Sequence, residues 1–381
     1  MEIKELGDVL ELQRGYDLPH SEMNEGVVPV AGSNGIIGYH DVAKLQPPCI
    51  TIGRSGSVGK LHRYDVPVWP HNTSLFISDF KGNDDKYLFY LLKTIDFNKV
   101  CDSSVIPSLN RNFVYPIKIY FETDVKKQKK IASVLSALDD KIALNKKMNQ
   151  KLEAMAKRLY DYWFVQYDFP DKNGHPYKTT GGKMEYNETL KREIPEGWND
   201  GALSDIANIT MGQSPDGASY NEDGEGMIFY QGSTDFGMRF PTVRQYTTAP
   251  TRFAKKGDIL MSVRAPVGAV NIANTDCCIG RGLSALNSKL GSLSHLYFLI
   301  DVFKKTFENK NTVGTTFGSI TKDELYALPV VIPDKKVIEQ FEKMAKPIFD
   351  RQMKLGEESN RLIKLRDKLL PLLMNGQVEV K

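Results

Sequence analysis

Two stretches of the chain carry hydrophobic residues at helical spacing for longer than a compact domain requires. From Lys127 to about Trp163 there is no Pro or Gly. Within that run Ile131, Leu135, Leu138, Ile142, Leu152, Leu159 and Trp163 fall on one stripe at three-and-four spacing, interrupted by Asn145 and Asn149. The second run shows Phe341, Ile348, Leu355, Leu362, Leu369 and Leu373, with Gln352 and Arg366 as polar interruptions. Pro347 predicts a bend or restart early in it. A helix of about 35 residues spans roughly 50 Å, so each run predicts a spacer. Packed as a coiled-coil pair the two bury both stripes, and a polar position such as Asn145 can fix register at some cost in stability.

Elsewhere the apolar runs are short and bounded by Gly or Pro, as strands are. Examples are Pro48-Cys49-Ile50-Thr51-Ile52, and Asp258-Ile259-Leu260-Met261-Ser262-Val263. Lys86 to Leu92, and the stretch around Leu296 to Ile300, read as short core helices, and Val330-Val331-Ile332-Pro333 as an edge strand ending at proline.

The pattern repeats about 200 residues on. Leu6-Gly7-Asp8-Val9 recurs as Leu203-Ser204-Asp205-Ile206, and Val30-Ala31-Gly32-Ser33-Asn34 as Tyr230-Gln231-Gly232-Ser233-Thr234. Ile52-Gly53-Arg54 and Val58-Gly59 recur as Ser262-Val263-Arg264 and Val267-Gly268. Ser108-Leu109-Asn110-Arg111 recurs as Ser319-Ile320-Thr321-Lys322. In the helices Asp140 pairs with Asp350, Leu152 with Leu362 and Leu159 with Leu369. Solenoid repeats run roughly 20–50 residues, so this is a duplicated domain plus helix, of α+β class. The order is globular unit, helix, linker, globular unit, helix.

Composition excludes several classes. The 381 residues are 41% hydrophobic and 25% charged, ordinary for a globular chain of two to three domains. No charge-free apolar run reaches the length of a membrane span, and the N-terminus lacks the basic-then-apolar order of a signal peptide. Four cysteines (Cys49, Cys101, Cys277 and Cys278) make no disulfide framework, so a cytoplasmic chain is expected. The net charge of +3 is too mild to announce nucleic acid by itself. Positive charge is local: Lys126, Lys127, Lys129, Lys130, Lys141, Lys146, Lys147, Lys151, Lys157 and Arg158 lie on the first long helix. Most of these lysines read as a solvated helix face.

No catalytic motif stands out. Gly56-Ser57-Val58-Gly59-Lys60 imitates a phosphate loop, but Arg54 and Leu61 occupy the positions where that motif needs Gly and Ser/Thr. Gln46-Pro47-Pro48-Cys49 has the prolines but neither the Asp/Asn-Pro-Pro pattern nor the aromatic platform of an amino-methylating loop, and reads as a loop entering a strand. Cys277-Cys278 are adjacent and the six histidines scattered, so neither a metal nor a cofactor is expected.

The linker is the most specific segment. Tyr162-Trp163-Phe164, Phe169-Pro170, Gly174, Pro176-Tyr177, Gly181-Gly182 and Ile194-Pro195-Glu196-Gly197-Trp198 resemble the central region of the specificity subunit of type I restriction-modification enzymes. Leu365-Arg366-Asp367-Lys368-Leu369-Leu370-Pro371 with Gly376 is similar to the distal region of that family, and the duplicated architecture agrees over essentially the whole chain. The resemblance implies two similar target recognition domains (1–123 and 198–335), joined by a linker (166–197) and two antiparallel spacer helices (124–165 and 336–381) with pseudo-twofold symmetry. It also implies a non-catalytic chain. Each domain would read half of a bipartite double-stranded DNA target while the helices set the gap. Two methyltransferase subunits would dock on it, and restriction/translocase subunits would join through them. A structural coiled-coil adaptor binding only protein is the alternative.

If DNA is the partner, the candidate contacts are polar residues of Gly-rich loops at matching places in both halves. In the first they are Ser33 and Asn34; Arg54, Ser55, Ser57 and Lys60; His71, Asn72 and Thr73; and Asn110, Arg111 and Asn112. In the second they are Gln231, Ser233, Thr234, Arg264, Arg281, Ser319, Thr321 and Lys322. Arg pairs bidentately with guanine, and Asn or Gln with adenine, in the major groove. A residue shared by two readers of different half-sites cannot carry their difference, so Arg54 and Arg264, paired by the repeat, read as phosphate contacts or loop buttresses.

Overall fold

The computed structural model describes residues 1–100, 108–237, 239–312 and 318–380; within the helix Leu293–Thr312 the side chains of 305, 306 and 308–312 are not described. Cys101 lies outside the described residues. The chain forms two compact units, Met1–Leu144 with Ser359–Lys381, and Asn145–Glu358.

Each unit is built on the same scaffold. In the first, a four-stranded antiparallel sheet runs in the order Glu11–Arg14, Ser74–Asp79, Cys49–Gly53, Leu61–Tyr64. In the second the order is Ala207–Met211, Leu283–Ser288, Ile259–Ser262, Val270–Ile272. The strands Cys49–Gly53 and Ile259–Ser262 are buried throughout, which is why they read as continuous apolar runs. A smaller sheet accompanies each. It has three strands in the first unit (Gly35–His40, Val28–Gly32, Trp69–Pro70). In the second it has five, where Tyr220–Asn221 and Phe253–Ala254 flank Gln245–Thr247, Met227–Tyr230 and Cys277–Ile279. Both small sheets contain one parallel pairing, at Val30 with Trp69 and at Phe229 with Cys278. A two-stranded sheet brings the first and last strands of each domain together: Glu2–Glu5 with Lys118–Phe121, and Asn199–Ala202 with Pro329–Ile332.

The expected core helices are present as Asp85–Lys93 and Leu293–Thr312, the first capped by the Asp84 side chain accepting from the Tyr87 N–H.

The long helices span Val125–Tyr160 and Lys335–Met374, each contributing one part to each unit. The first ends in a π turn, Asp161–Val165. The second runs unbroken through Pro347, where a bend or restart was expected. Phe341, Ala345 and Phe349 are all buried around that proline, so packing holds the turn that lacks one amide hydrogen bond. Within each unit the two helices run antiparallel. In the second unit Asn145 donates to Glu358 at 2.9 Å and Gln352 to the Asn149 carbonyl at 3.3 Å. In the first, Ile131 and Leu135 share a core with Leu369 and Leu373, and Arg366 reaches Asp139 at 2.8 Å. The polar interruptions are the buried centre of the stripe: Asn145, Asn149 and Gln352 are at most 5% exposed, while Leu138, Ile142 and Leu152 flank it half-buried.

The linker folds on an aromatic stack. Phe169 lies against Tyr177 (4.7 Å between ring centres) and Trp198 (5.0 Å), and Trp198 contacts Phe164 and Tyr167. Asp168 accepts from the Thr179 N–H and hydroxyl at 2.8 and 2.6 Å. Gly182 has no room for a side chain, because a Cβ there would lie 2.5 Å from the Tyr177 ring. Of the residues that make this segment recognisable, Trp163, Phe164, Phe169, Ile194 and Trp198 are buried, while Gly174, Gly181 and Gly197 are exposed.

Candidate nucleic-acid interface

In both units the candidate loops gather where strands of the large and small sheets end, and one backbone hydrogen-bond scheme builds both clusters. In the first, His71 N–H donates to Ala31 (2.9 Å), Arg54 N–H to Thr73 (2.8 Å) and Leu109 N–H to Arg54 (2.9 Å). In the second, Gly280 N–H donates to Tyr230 (2.8 Å), Val263 N–H to Gly282 (2.9 Å) and Ile320 N–H to Val263 (2.9 Å). Close backbone approach makes this possible. A Cβ on Gly53 would lie 2.0 Å from the Ser57 carbonyl and 2.6 Å from that of Ser33.

This scheme corrects the sequence alignment of the repeats by one residue. Arg54 corresponds to Val263, not to Arg264, and Arg264 corresponds to Ser55, with Ser108 and Ser319 as their bridge partners. Likewise Gly32, not Ala31, matches Gln231; His71 matches Gly280, Asn72 matches Arg281 and Lys60 matches Ala269. Arg54 and Arg264 are therefore not a shared pair but stand at neighbouring places of the repeat.

Several candidates are occupied by the fold. Asn110 caps the turn Arg111–Val114 by accepting from Asn112 N–H at 3.0 Å, and Arg111 donates to the Leu12 carbonyl at 3.1 Å. Thr321 forms a capping box with Glu324, and the Lys322 ammonium lies 5.2 Å over the Tyr326 ring. Thr234 accepts from Arg244 at 3.1 Å, and Ser233 opens the turn Ser233–Asp235. His71 shares a hydrogen bond with Thr73 at 3.0 Å. Burial, only partly offset by a backbone bond to Leu18 and the Asp17 charge, pushes its imidazole below the usual range, so it is neutral at pH 7.

Others are available. Arg54, Lys60, Arg264 and Arg281 have no hydrogen-bond or ion-pair partner for their side chains among the described residues, and the last three are exposed. Asn34 is exposed at the hairpin tip Ser33–Asn34, which overlies the turn carrying Ser55 and Ser57. That turn, Gly56 to Lys60, leads into the strand Leu61–Tyr64 and not into a helix, so it lacks the helix N-terminus of a phosphate loop. Cys49 and Cys277 are buried thiols pushed up to about 11 and about 12, so neither is a thiolate nucleophile.

Two residues were not singled out from the sequence. Asp17 bonds the Asn72 amide, and Ser214 accepts from Gln231 Nε2 at 3.2 Å and from Arg281 N–H at 3.3 Å. They occupy equivalent places: Gly15 and Gly212, two residues before each, donate to the matching Ser74 and Leu283 carbonyls. The spacing that links Leu6 to Leu203, carried on a few residues, finds both.

The sequence profile described as the type I restriction modification DNA specificity domain matches residues 1–154 and 195–365, once per repeat. The chain belongs to this specificity family. A protein of Methanocaldococcus jannaschii named as the type I restriction enzyme MjaX specificity subunit is 31% identical over 311 residues, covering 77% of this chain and 68% of the relative. The HindI specificity subunit of Haemophilus influenzae is 23% identical over 356 residues, 77% of each chain. The type I restriction-modification S subunit from M. genitalium shares the fold, with a TM-score of 0.64 and 15% identity over 98% of this chain and 96% of that one. The specificity domain thus occurs twice here, on one scaffold, with different loop chemistry in each copy. Among the described residues no helix is long and apolar enough to cross a membrane.

Proposed function

We propose that this specificity-family chain acts without catalysis of its own, each recognition domain reading one half of a bipartite double-stranded DNA target. The helices set the gap and dock two methyltransferase subunits, through which restriction/translocase subunits join. One observation carries the reading. At equivalent places on a backbone scaffold shared by the two repeats, the first domain carries Arg54, Ser55, Lys60 and Asn72, and the second the buried Val263, then Arg264, Ala269 and Arg281. A fixed scaffold with exchanged polar tips suits two different half-sites, because base edges are told apart by side-chain donors and acceptors. Arg54, Lys60, Arg264 and Arg281 are the proposed leading contacts. Asn34, Ser33, Ser55, Ser57 and Gln231 are proposed as secondary ones.

Methylome sequencing of cells expressing the chain with its neighbouring methyltransferase subunit, against cells lacking the chain, tests this. The expected result is a new split motif with two different halves around a fixed gap. Soluble, associated proteins that yield no motif would favour the coiled-coil adaptor.

A further inference from the structure

The second unit contains a buried charge that the reading of DNA does not use. Arg239 lies in the long connection between strands Met227–Tyr230 and Gln245–Thr247 and is 5% exposed. Its guanidinium donates to Glu153 on the first long helix at 2.8 Å and to Gln352 on the second at 3.1 Å. Gln352 in turn donates to the same Glu153 oxygen at 2.7 Å. The Tyr297 and Phe349 rings lie 4.6 and 4.5 Å from the guanidinium carbon. Beside it Phe240 presses on Gly356, where a Cβ would come within 2.4 Å of the ring. One arm of the domain is thus plugged into both helices by a planar group that only arginine supplies.

The arm is tied to the candidate reading loop. Asp235 accepts from the Gln231 N–H at 2.9 Å, and the Thr242 N–H donates to the Asp235 carbonyl at 2.7 Å. Asn271 clamps Gly237 with two bonds of 3.0 Å, and Ile272 N–H donates to the Arg239 carbonyl at 3.0 Å. The first domain has no such arm, because its equivalent strands are joined by the two-residue turn Ser33–Asn34, with Gly32 paired to Gly35.

We propose that Arg239 is a positioning residue that fixes the seat of the second recognition domain on its stretch of the helix pair, and thereby the gap between the half-sites. This rests on the reading of the domain as a half-site reader. An arm tied to the domain by these bonds and holding both helices at once leaves the domain one seat. Without the guanidinium the arm keeps its backbone ties to the domain but loses its grip on the helices. The bases read are then unchanged, while the distance at which they are found is not.

The test is methylome sequencing of the full complex with wild type, Arg239→Met and Arg239→Lys. The expected result for Arg239→Met is both half-site sequences intact, with methylation at one or more additional gap lengths reaching at least about a tenth of wild-type occupancy. Arg239→Lys, which keeps the charge but cannot span both partners, should fall between. Uniform loss of methylation at a single unchanged gap would show a merely structural role and overturn the proposal. So would full methylation at a single gap. If Arg239→Met is insoluble, Glu153→Gln and Gln352→Leu each remove one partner, and an unchanged gap in both overturns it equally. Absence of any split motif in wild type would count against the half-site reading itself and is thereby distinguishable.

Discussion

In the first unit a different junction of helix pair and domain can be perturbed with a calculable effect. Asp139, on the first long helix, accepts from Arg366 of the second at 2.8 Å and from the Tyr90 hydroxyl of the core helix at 2.8 Å, with the Lys93 ammonium at 3.5 Å. Burial alone would raise the Asp139 carboxyl, but the bonds from Arg366 and Tyr90 and the charge of Lys93 outweigh it and hold it below the usual range. A depressed carboxyl stabilises fully above its unfolded pKa of about 4 and loses that contribution as pH falls through the lower folded value. Replacing Asp139 by Leu takes the carboxylate from the Lys93 ammonium and leaves Arg366 with Asp367 alone among the described residues, at 2.7 and 2.9 Å. The side chains are 24–29% exposed, so the roughly 3–5 kcal/mol for breaking a buried pair is discounted for solvent to about 2 kcal/mol. That corresponds to roughly 30-fold faster amide exchange in the helix Asp85–Lys93, at about 1.4 kcal/mol per factor of ten. Exchange mass spectrometry is the right assay, because a chain of two units gives no single unfolding transition. Arg366→Leu alone should cost a similar amount, and the double variant less than the sum by about 1 kcal/mol or more. Asp139→Asn should lack that part of the acid sensitivity which wild type shows below about pH 4. Additive single effects, or an acid response unchanged in Asp139→Asn, would refute the argument.

Arg281→Asn should leave stability within about 0.5 kcal/mol, since the side chain has no partner to lose among the described residues. It should weaken base preference in the second half-site by about 1–3 kcal/mol while sparing the first, as measured on a panel of duplexes with the methyltransferase complex. Lys60→Ala should lower the slope of log affinity against log salt by about 1 without altering the sequence recognised, as a lost phosphate contact does; an altered sequence would make Lys60 a base reader. Thr321→Ala should cost about 1 kcal/mol through loss of the cap and leave the methylated sequence unchanged, since its hydroxyl is engaged with Glu324.

The duplication was legible because both copies bury the same faces. Leu6 and Leu203 are fully buried, as are Ile52 and Met261, and apolar periodicity records such positions directly. The register within loops was not. Motifs such as Gly-Arg and Val-Arg match by letter, but backbone bonds pair residues by place in the ladder, and a one-residue slip exchanges Ser55 for Arg54 as the partner of Arg264. Arg239 was invisible for another reason. Its partners lie 86 and 113 residues away in sequence, and nothing around it is periodic. Asn110 and Thr321 read as candidate contacts from sequence because helix caps and base readers draw on the same short polar side chains.

What each polar group already bonds is our basis for choosing among them. A reader of sequence needs side chains whose donors and acceptors are uncommitted, on a backbone that is wholly committed. Thr73, Val263 and Gly282 are fixed through their main-chain groups, while the Arg54, Arg264 and Arg281 guanidiniums that stand beside them have no protein partner among the described residues. The same division holds within the arm of the second domain, with the opposite outcome. Arg239 commits its guanidinium to two helices and two rings, so it can locate a domain but cannot read a base. If both assignments hold, target sequence and target spacing are carried by different arginines of one domain. Arg281→Asn should then change bases at a constant gap, and Arg239→Met the gap at constant bases. A single variant that moved both would join the two functions and break the division.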